Sequence, residues 1–174
     1  MSSPTSLHDE ILALDAAAEL DTRGSDPRAA RKKAMDLLAR REHAAGELMH
    51  KLEKAGFERN AAEAAVAGLT RDGLQSDERY VEAFVQSRVR RGKGPVRIRA
   101  ELRERGAATA AIEAALAAAD ADWAALARSV REQKFGRRRP ADFKDKARQM
   151  RFLQYRGFES EHITAAFAGA ADDD

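Results

Sequence analysis

From Arg88 to Arg105 the chain carries eight bases, Arg88, Arg90, Arg91, Lys93, Arg97, Arg99, Arg103 and Arg105, against two acids, Glu101 and Glu104. Guanidinium and ammonium groups at that density do the chemistry of anion binding: forked N–H donors for phosphate or carboxylate oxygens, plus point charge. A second basic stretch runs from Arg131 to Arg156. Within it Lys144, Arg148 and Arg151 stand four and three residues apart and share one helical face, as Arg99 and Arg103 do. The candidate binding residues are therefore Arg88, Arg90, Arg91, Lys93, Arg97, Arg99, Arg103, Lys144, Arg148 and Arg151. The competing expectation is that several only pair with Glu101, Glu104 or Asp145, where an exposed pair contributes about 0–1 kcal/mol. The formal net charge of +2 conceals this segregation. Residues 1–26 hold six acids and a single base, Arg23, and the chain ends in Asp172, Asp173 and Asp174. Such asymmetry points to a polyanionic partner.

Other chemistries find no constellation. There is no cysteine, so neither a disulfide nor a thiolate metal site can form. His43 and His50 are seven residues apart with no third ligand nearby, and together with His8 and His162 they are taken as surface histidines. Gly92-Lys93-Gly94 lacks the third glycine of a dinucleotide loop, and no phosphate-cradling Walker loop occurs. The acids alternate with bases along helices, as surface ion pairs do. A non-enzymatic protein without cofactor or metal is expected. No apolar run approaches a membrane span and no leader pattern opens the chain, so a cytoplasmic protein that does not engage membranes is expected. No aromatic interleaves with the arginines, which argues against a surface that stacks single-stranded bases.

The elements that must carry these cations are helical. The composition is 34% charged, rich in alanine, leucine, arginine and glutamate, with four prolines. Three leucine-to-glycine turns recur, Leu52 to Gly56, Leu102 to Gly106 and Leu153 to Gly157, with glycines 50 and 51 residues apart. Ala62, Ile112 and Ile163 stand six residues after each glycine, and Val66, Leu116 and Phe167 ten after. Register at a fixed period marks an internal repeat. The expected fold is all-α: three tandem three-helix repeats of about 50 residues in an elongated, curved array. The repeats span 27–72, 73–120 and 121–168, after an acidic extension over 1–26 and before an acidic tail over 169–174.

Within repeat 1 the helices are expected at Ala34–Arg41, Gly46–Lys54 and Asn60–Leu69, after a linker over Arg23–Arg31. Asn60 and Glu63 suggest a capping box. In repeat 2, Ser76 or Asp77 serves as N-cap for a helix carrying Tyr80, Phe84, Val85 and Arg88. Pro95 opens the next helix, Gly106 ends it and Thr109 caps the third. Repeat 3 runs Trp123–Phe135, Phe143–Tyr155 and Ser160–Phe167, with Gly136 to Pro140 inserted after its first helix. Tyr80, Phe84, Ile98 and Leu102 are structural, and Trp123, Phe135, Phe143, Phe152, Phe158 and Phe167 follow helical spacing as packing residues. Residues 7–20 form a further short amphipathic helix, and the acidic extension is a candidate to fold over the basic face.

The stretch from Leu74 to Leu102 resembles the central motif of the RecX family, bacterial regulators of the RecA recombinase. The resemblance rests on Leu74, Asp77, Arg79, Tyr80, Phe84, Arg88, Gly92, Gly94, Pro95, Ile98, Leu102 and Gly106. Ala34 to His43, Glu47-Leu48, Lys51-Leu52 and Gly56-Phe57 are similar to the family's first repeat, and Phe152 to Phe158 with Ile163 to its third. It covers roughly residues 28–168. Ala107 departs from the bulky residue usual after the second glycine, which loosens that joint. No repeat leaves an obvious spare apolar face, so a monomer is expected; the resemblance implies tandem three-helix repeats that bind RecA–DNA filaments, in the groove or at the growing end. It further implies suppression of ATP hydrolysis, strand exchange and coprotease activity. Weak binding to single- or double-stranded DNA is the accompanying expectation.

Overall fold

The computed structural model describes residues 24–168. The acidic extension over 1–26, the helix expected over 7–20 and the tail over 169–174 lie largely or wholly outside the described residues. Among those described there are nine α-helices and no strand. They fall into two compact units, one ending at Asp77 and one beginning at Glu78.

The first unit holds α1 (Pro27–Leu38), α2 (Ala45–Lys54) and α3 (Arg59–Arg71). Its core is Ala30, Ala34, Leu48, Leu52, Ala62, Ala65, Val66 and Leu69. The expected linker over Arg23–Arg31 is instead the start of α1. The Asp26 carboxylate accepts from the Arg28 N–H at 2.8 Å, and Pro27 occupies the first turn, where its missing N–H costs nothing. The buried face of α1 is alanine at positions 30 and 34, too weak an apolar signal for periodicity to detect. α3 begins at Arg59 with no side-chain cap, so no capping box forms at Asn60; Glu63 accepts from Arg59 instead. Asp77 reaches another helix: its carboxylate accepts from the Ala45 N–H at the start of α2, at 2.8 Å. Gln75, 2% exposed, donates to that carboxylate and to the His43 carbonyl and accepts from Thr70. These bonds satisfy both ends of a buried amide and tie the α1–α2 loop to the segment after α3. His43 is only 3% exposed, which corrects its assignment to the surface. Burial lowers its pKa, and Glu47, 3.2 Å away, offsets part of that.

The second unit holds α4 (Asp77–Arg90, but for its first residue), α5 (Pro95–Glu104), α6 (Thr109–Ala118), α7 (Trp123–Phe135), α8 (Phe143–Arg156) and α9 (Ser160–Phe167). Tyr80, Val81, Val85, Ile98, Leu102, Ile112, Ala115 and Leu116 are buried. A second core gathers Ala127, Val130, Leu153, Phe158, Ile163 and Ala166, flanked by Trp123, Phe152 and Phe167. The Phe135 ring meets Phe152 edge-on at 5.2 Å. Phe143 departs from the packing expectation: it is 87% exposed, at the first position of α8, where helical spacing does not yet determine facing. Thr109 makes no cap bond, and the helix starts from Ala108.

The repeated turns are one motif. Phe57, Ala107 and Phe158 donate their N–H to the carbonyls of Leu52, Leu102 and Leu153 at 3.1, 3.0 and 3.2 Å. Gly56, Gly106 and Gly157 donate to Glu53, Arg103 and Gln154. This double bond pattern around a left-handed residue closes the helix C-terminus, and Gly56, Gly106 and Gly157 have φ of 92°, 78° and 89°.

Candidate functional site

All ten candidate cations lie in the second unit. The turn between α4 and α5 positions the first group. Gly92 is left-handed, and a Cβ there would come within 2.6 Å of Val130 Cγ2. The C-terminus of α4 therefore lies directly on α7. Gly94 donates to the Arg156 carbonyl at 2.9 Å and Val96 to the Gly157 carbonyl at 3.0 Å. The start of α5 thus satisfies carbonyls left free at the end of α8, and those carbonyls satisfy its orphan N–H groups.

Packing sorts the cations into two classes. Arg88 and Arg97 both donate to Glu101, at 2.6 and 3.0 Å, and the Arg88 guanidinium lies 4.3 Å from the Phe84 ring centre. Arg99 forms a forked pair with Glu113, at 2.9 and 3.1 Å, and also reaches Glu159 at 2.9 Å. Arg148 pairs with Asp145 at 2.7 Å. Arg99 is thereby occupied and does not form a free row with Arg103. Arg90, Arg91, Lys93, Arg103, Lys144 and Arg151 have no carboxylate partner among the described residues.

Glu101 is the acid on which this region depends. Burial pushes its carboxyl up, but the bonds from Arg88 and Arg97 outweigh that and hold it below the ordinary glutamate value. Its contribution is therefore complete above about pH 4.5 and fades as pH falls through the lowered folded value. Glu101→Gln is expected to cost roughly 1–3 kcal/mol near neutrality, with the gap to the parent closing in strong acid. Thermal melts of both proteins across pH check this; a gap that stays constant to low pH would contradict it.

The C-termini of α4, α7 and α8 converge, and each carries a cation in its last turn: Arg90, Lys134 and Arg156. With Arg91 they line a groove of about 290 Å³, floored by Val130 and Phe152. No acid lines it. Arg156 donates to the Arg91 carbonyl at 3.1 Å and lies 5.3 Å from the Phe152 ring centre. Lys93, half-buried nearby, has its pKa lowered by burial and then by Arg156 and Arg97. Converging helix C-termini make such a cluster tolerable while leaving its side-chain charge unneutralised. Lys134 and Arg156 were not among the sequence candidates. Their last-turn positions were the only local signal.

On α8, Lys144, Arg148 and Arg151 do share an exposed face, and Tyr155 continues it one turn on. Tyr155 is 73% exposed, with the Arg97 guanidinium 5.4 Å from its ring centre. This corrects the expectation that no aromatic interleaves with the cations. Arg131, by contrast, is 1% exposed and belongs to the core, not to the basic surface. Glu159, Glu161 and His162 gather their ligand atoms within 4.8 Å. Glu159 is engaged by Arg99, and the His162 ring closes the α9 cap, so these atoms already have partners. No described helix is long and apolar enough to cross a membrane.

Models of the first, second and third three-helix domains of RecX match residues 30–69, 76–116 and 120–167. The chain is 46% identical over 151 residues to the regulatory protein RecX of Halorhodospira halophila, covering 87% of this chain and 94% of that one. It is 44% identical over 157 residues to the regulatory protein RecX of Pseudomonas syringae pv. tomato, covering 90% and 99%. A crystal structure of RecX from Lactobacillus salivarius superposes with a TM-score of 0.68 at 19% identity, over 81% of this chain and 94% of that one. At that identity the likeness speaks for the fold.

Proposed function

This chain belongs to the RecX family of non-enzymatic regulatory proteins, and on that footing we propose that it is a negative regulator of the RecA recombinase. It binds RecA–DNA filaments, in the groove or at the growing end, and lowers ATP hydrolysis, strand exchange and coprotease activity. A protein without an active site inhibits an ATPase by binding one filament conformation better than another. The observation that carries the reading is the set of cations without carboxylate partners on the second unit, Arg90, Arg91, Lys93, Arg103, Lys144 and Arg151 among them. A nucleoprotein filament is the polyanion such a surface fits.

The second reading is direct DNA binding, with recombination suppressed by competition. The cationic groove favours it to the extent that phosphates are its ligand. ATP hydrolysis by preformed RecA–single-stranded DNA filaments, titrated with this protein at two salt concentrations, separates the two. Inhibition well below one copy per RecA subunit, with weak binding to bare DNA, is the expected result. Inhibition only where bare DNA is already saturated, with a steep salt dependence, would favour competition. Unchanged hydrolysis at equal stoichiometry would refute both.

A further inference from the structure

We propose that the groove between α4, α7 and α8 takes a backbone phosphate of a single-stranded nucleic acid whose neighbouring base stacks on Tyr155. The inference rests on the nucleic-acid component of the reading above, and its test lets the two fail separately.

Two independent features meet here. The first is charge. Arg90, Arg91, Lys134 and Arg156 line one depression with no acid among them, in a chain whose other arginines commonly find carboxylates. Arginine forks match phosphate oxygens, and a concave, apolar-floored site concentrates the field of its cations. The second is the ring. Tyr155 is 73% exposed, although its helix had buried positions for aromatics such as the Phe152 side of α8. The Arg97 guanidinium lies against it, and Arg151 and Arg148 precede it on the same face. Tyr155 and Arg156 are consecutive, so the ring and the groove cation leave α8 about 100° apart. An acidic peptide would engage the cations and make no use of the ring. A strand that alternates phosphates with unpaired flat bases engages both, which is how single-strand binders combine a basic track with stacking platforms. Paired bases in a duplex would not present their faces to Tyr155.

The probes are a fluorescent oligothymidylate and an abasic phosphodiester strand of equal length, followed by anisotropy across salt. Tyr155→Ala is expected to weaken oligothymidylate binding roughly five- to hundred-fold and to leave the abasic strand unaffected. Tyr155→Phe keeps the affinity, since stacking needs the ring and not the hydroxyl. Arg90→Ala with Lys134→Ala weakens both strands and lowers the salt slope by about 0.7, the value for one lost phosphate contact on a single strand. These side chains are exposed, so the variants are expected to melt with the parent, and circular dichroism checks that. Unchanged oligothymidylate binding by folded Tyr155→Ala, or equal losses on both strands, would overturn the inference. So would an Arg90/Lys134 double variant that binds both strands normally but no longer inhibits RecA; the groove would then meet protein, and the regulatory reading would stand. Variants that behave as expected on bare strands, in a protein that leaves RecA unaffected, would support this site and sink the regulatory reading.

Discussion

Gly94→Ala is expected to destabilise the second unit by about 3 kcal/mol, lowering its melting temperature by roughly 12–24 °C. Nothing local demands glycine at that position: its φ is −82°, open to any residue. The cost is tertiary. A Cβ there would lie 2.2 Å from the Gly157 carbonyl oxygen, 2.3 Å from its carbon and 2.4 Å from the Phe158 nitrogen. These are backbone atoms, so no rotamer change relieves the clash. The helices must separate, and the bonds from Gly94 to Arg156 and from Val96 to Gly157 lengthen with them. Gly106→Ala supplies the contrast. Its φ is +78°, but its Cβ would meet nothing within 4 Å. It pays only the left-handed penalty of about 1–2 kcal/mol. Denaturant melts of both variants give the comparison, and a Gly106→Ala loss equal to that of Gly94→Ala would contradict it. Because the same joint holds Arg156 beside Arg91, Gly94→Ala is also expected to weaken anion binding by the groove.

Arg131→Ala is expected to cost about 2–5 kcal/mol through the cavity it leaves, whereas Arg131→Met is expected to be neutral or stabilising by up to about 4 kcal/mol. Arg131 is 1% exposed, yet no carboxylate closes on it: Glu132 is 3.9 Å away. Its Nη1 donates to Gln149 at 3.3 Å and to the Arg138 carbonyl at 3.4 Å, both long, and its Nε finds no acceptor. The Phe167 ring centre lies 5.3 Å from the guanidinium. Arginine stays charged, so its desolvation is opposed by weak bonds and one aromatic face. Truncation leaves a cavity and strips Gln149 of a donor. Methionine fills the volume without the buried charge. Thermal unfolding of the two variants decides the matter, and a methionine variant as unstable as the alanine one would show that the buried charge is net favourable.

What the sequence determined by itself is local. The three leucine-to-glycine turns and the ends of α2, α5 and α8 that they form are legible because a C-terminal cap is encoded within six consecutive residues. The same holds for the shared face of Lys144, Arg148 and Arg151, which one helical period dictates. Local signal is weak at the alanine face of α1, and it is missing where a cap comes from afar, as when Asp77 serves Ala45. Which cations find a carboxylate and which do not follows from contacts distant in the chain. Arg99 finds Glu159 sixty residues away, and Arg131 goes inside. Arg90, Lys134 and Arg156 meet because three helix C-termini converge, and Tyr155 stays in solvent while Phe152, three residues earlier, goes under α7 and α8 packing. Gly56, Gly106 and Gly157 look alike in sequence and share one backbone geometry, but only Gly157 has the backbone of Arg97 within 2.5 Å of where a Cβ would stand. The physical reason is range. Backbone conformation is set by neighbours along the chain, whereas neutralisation of a charge and close approach of two backbones depend on residues that only folding brings together.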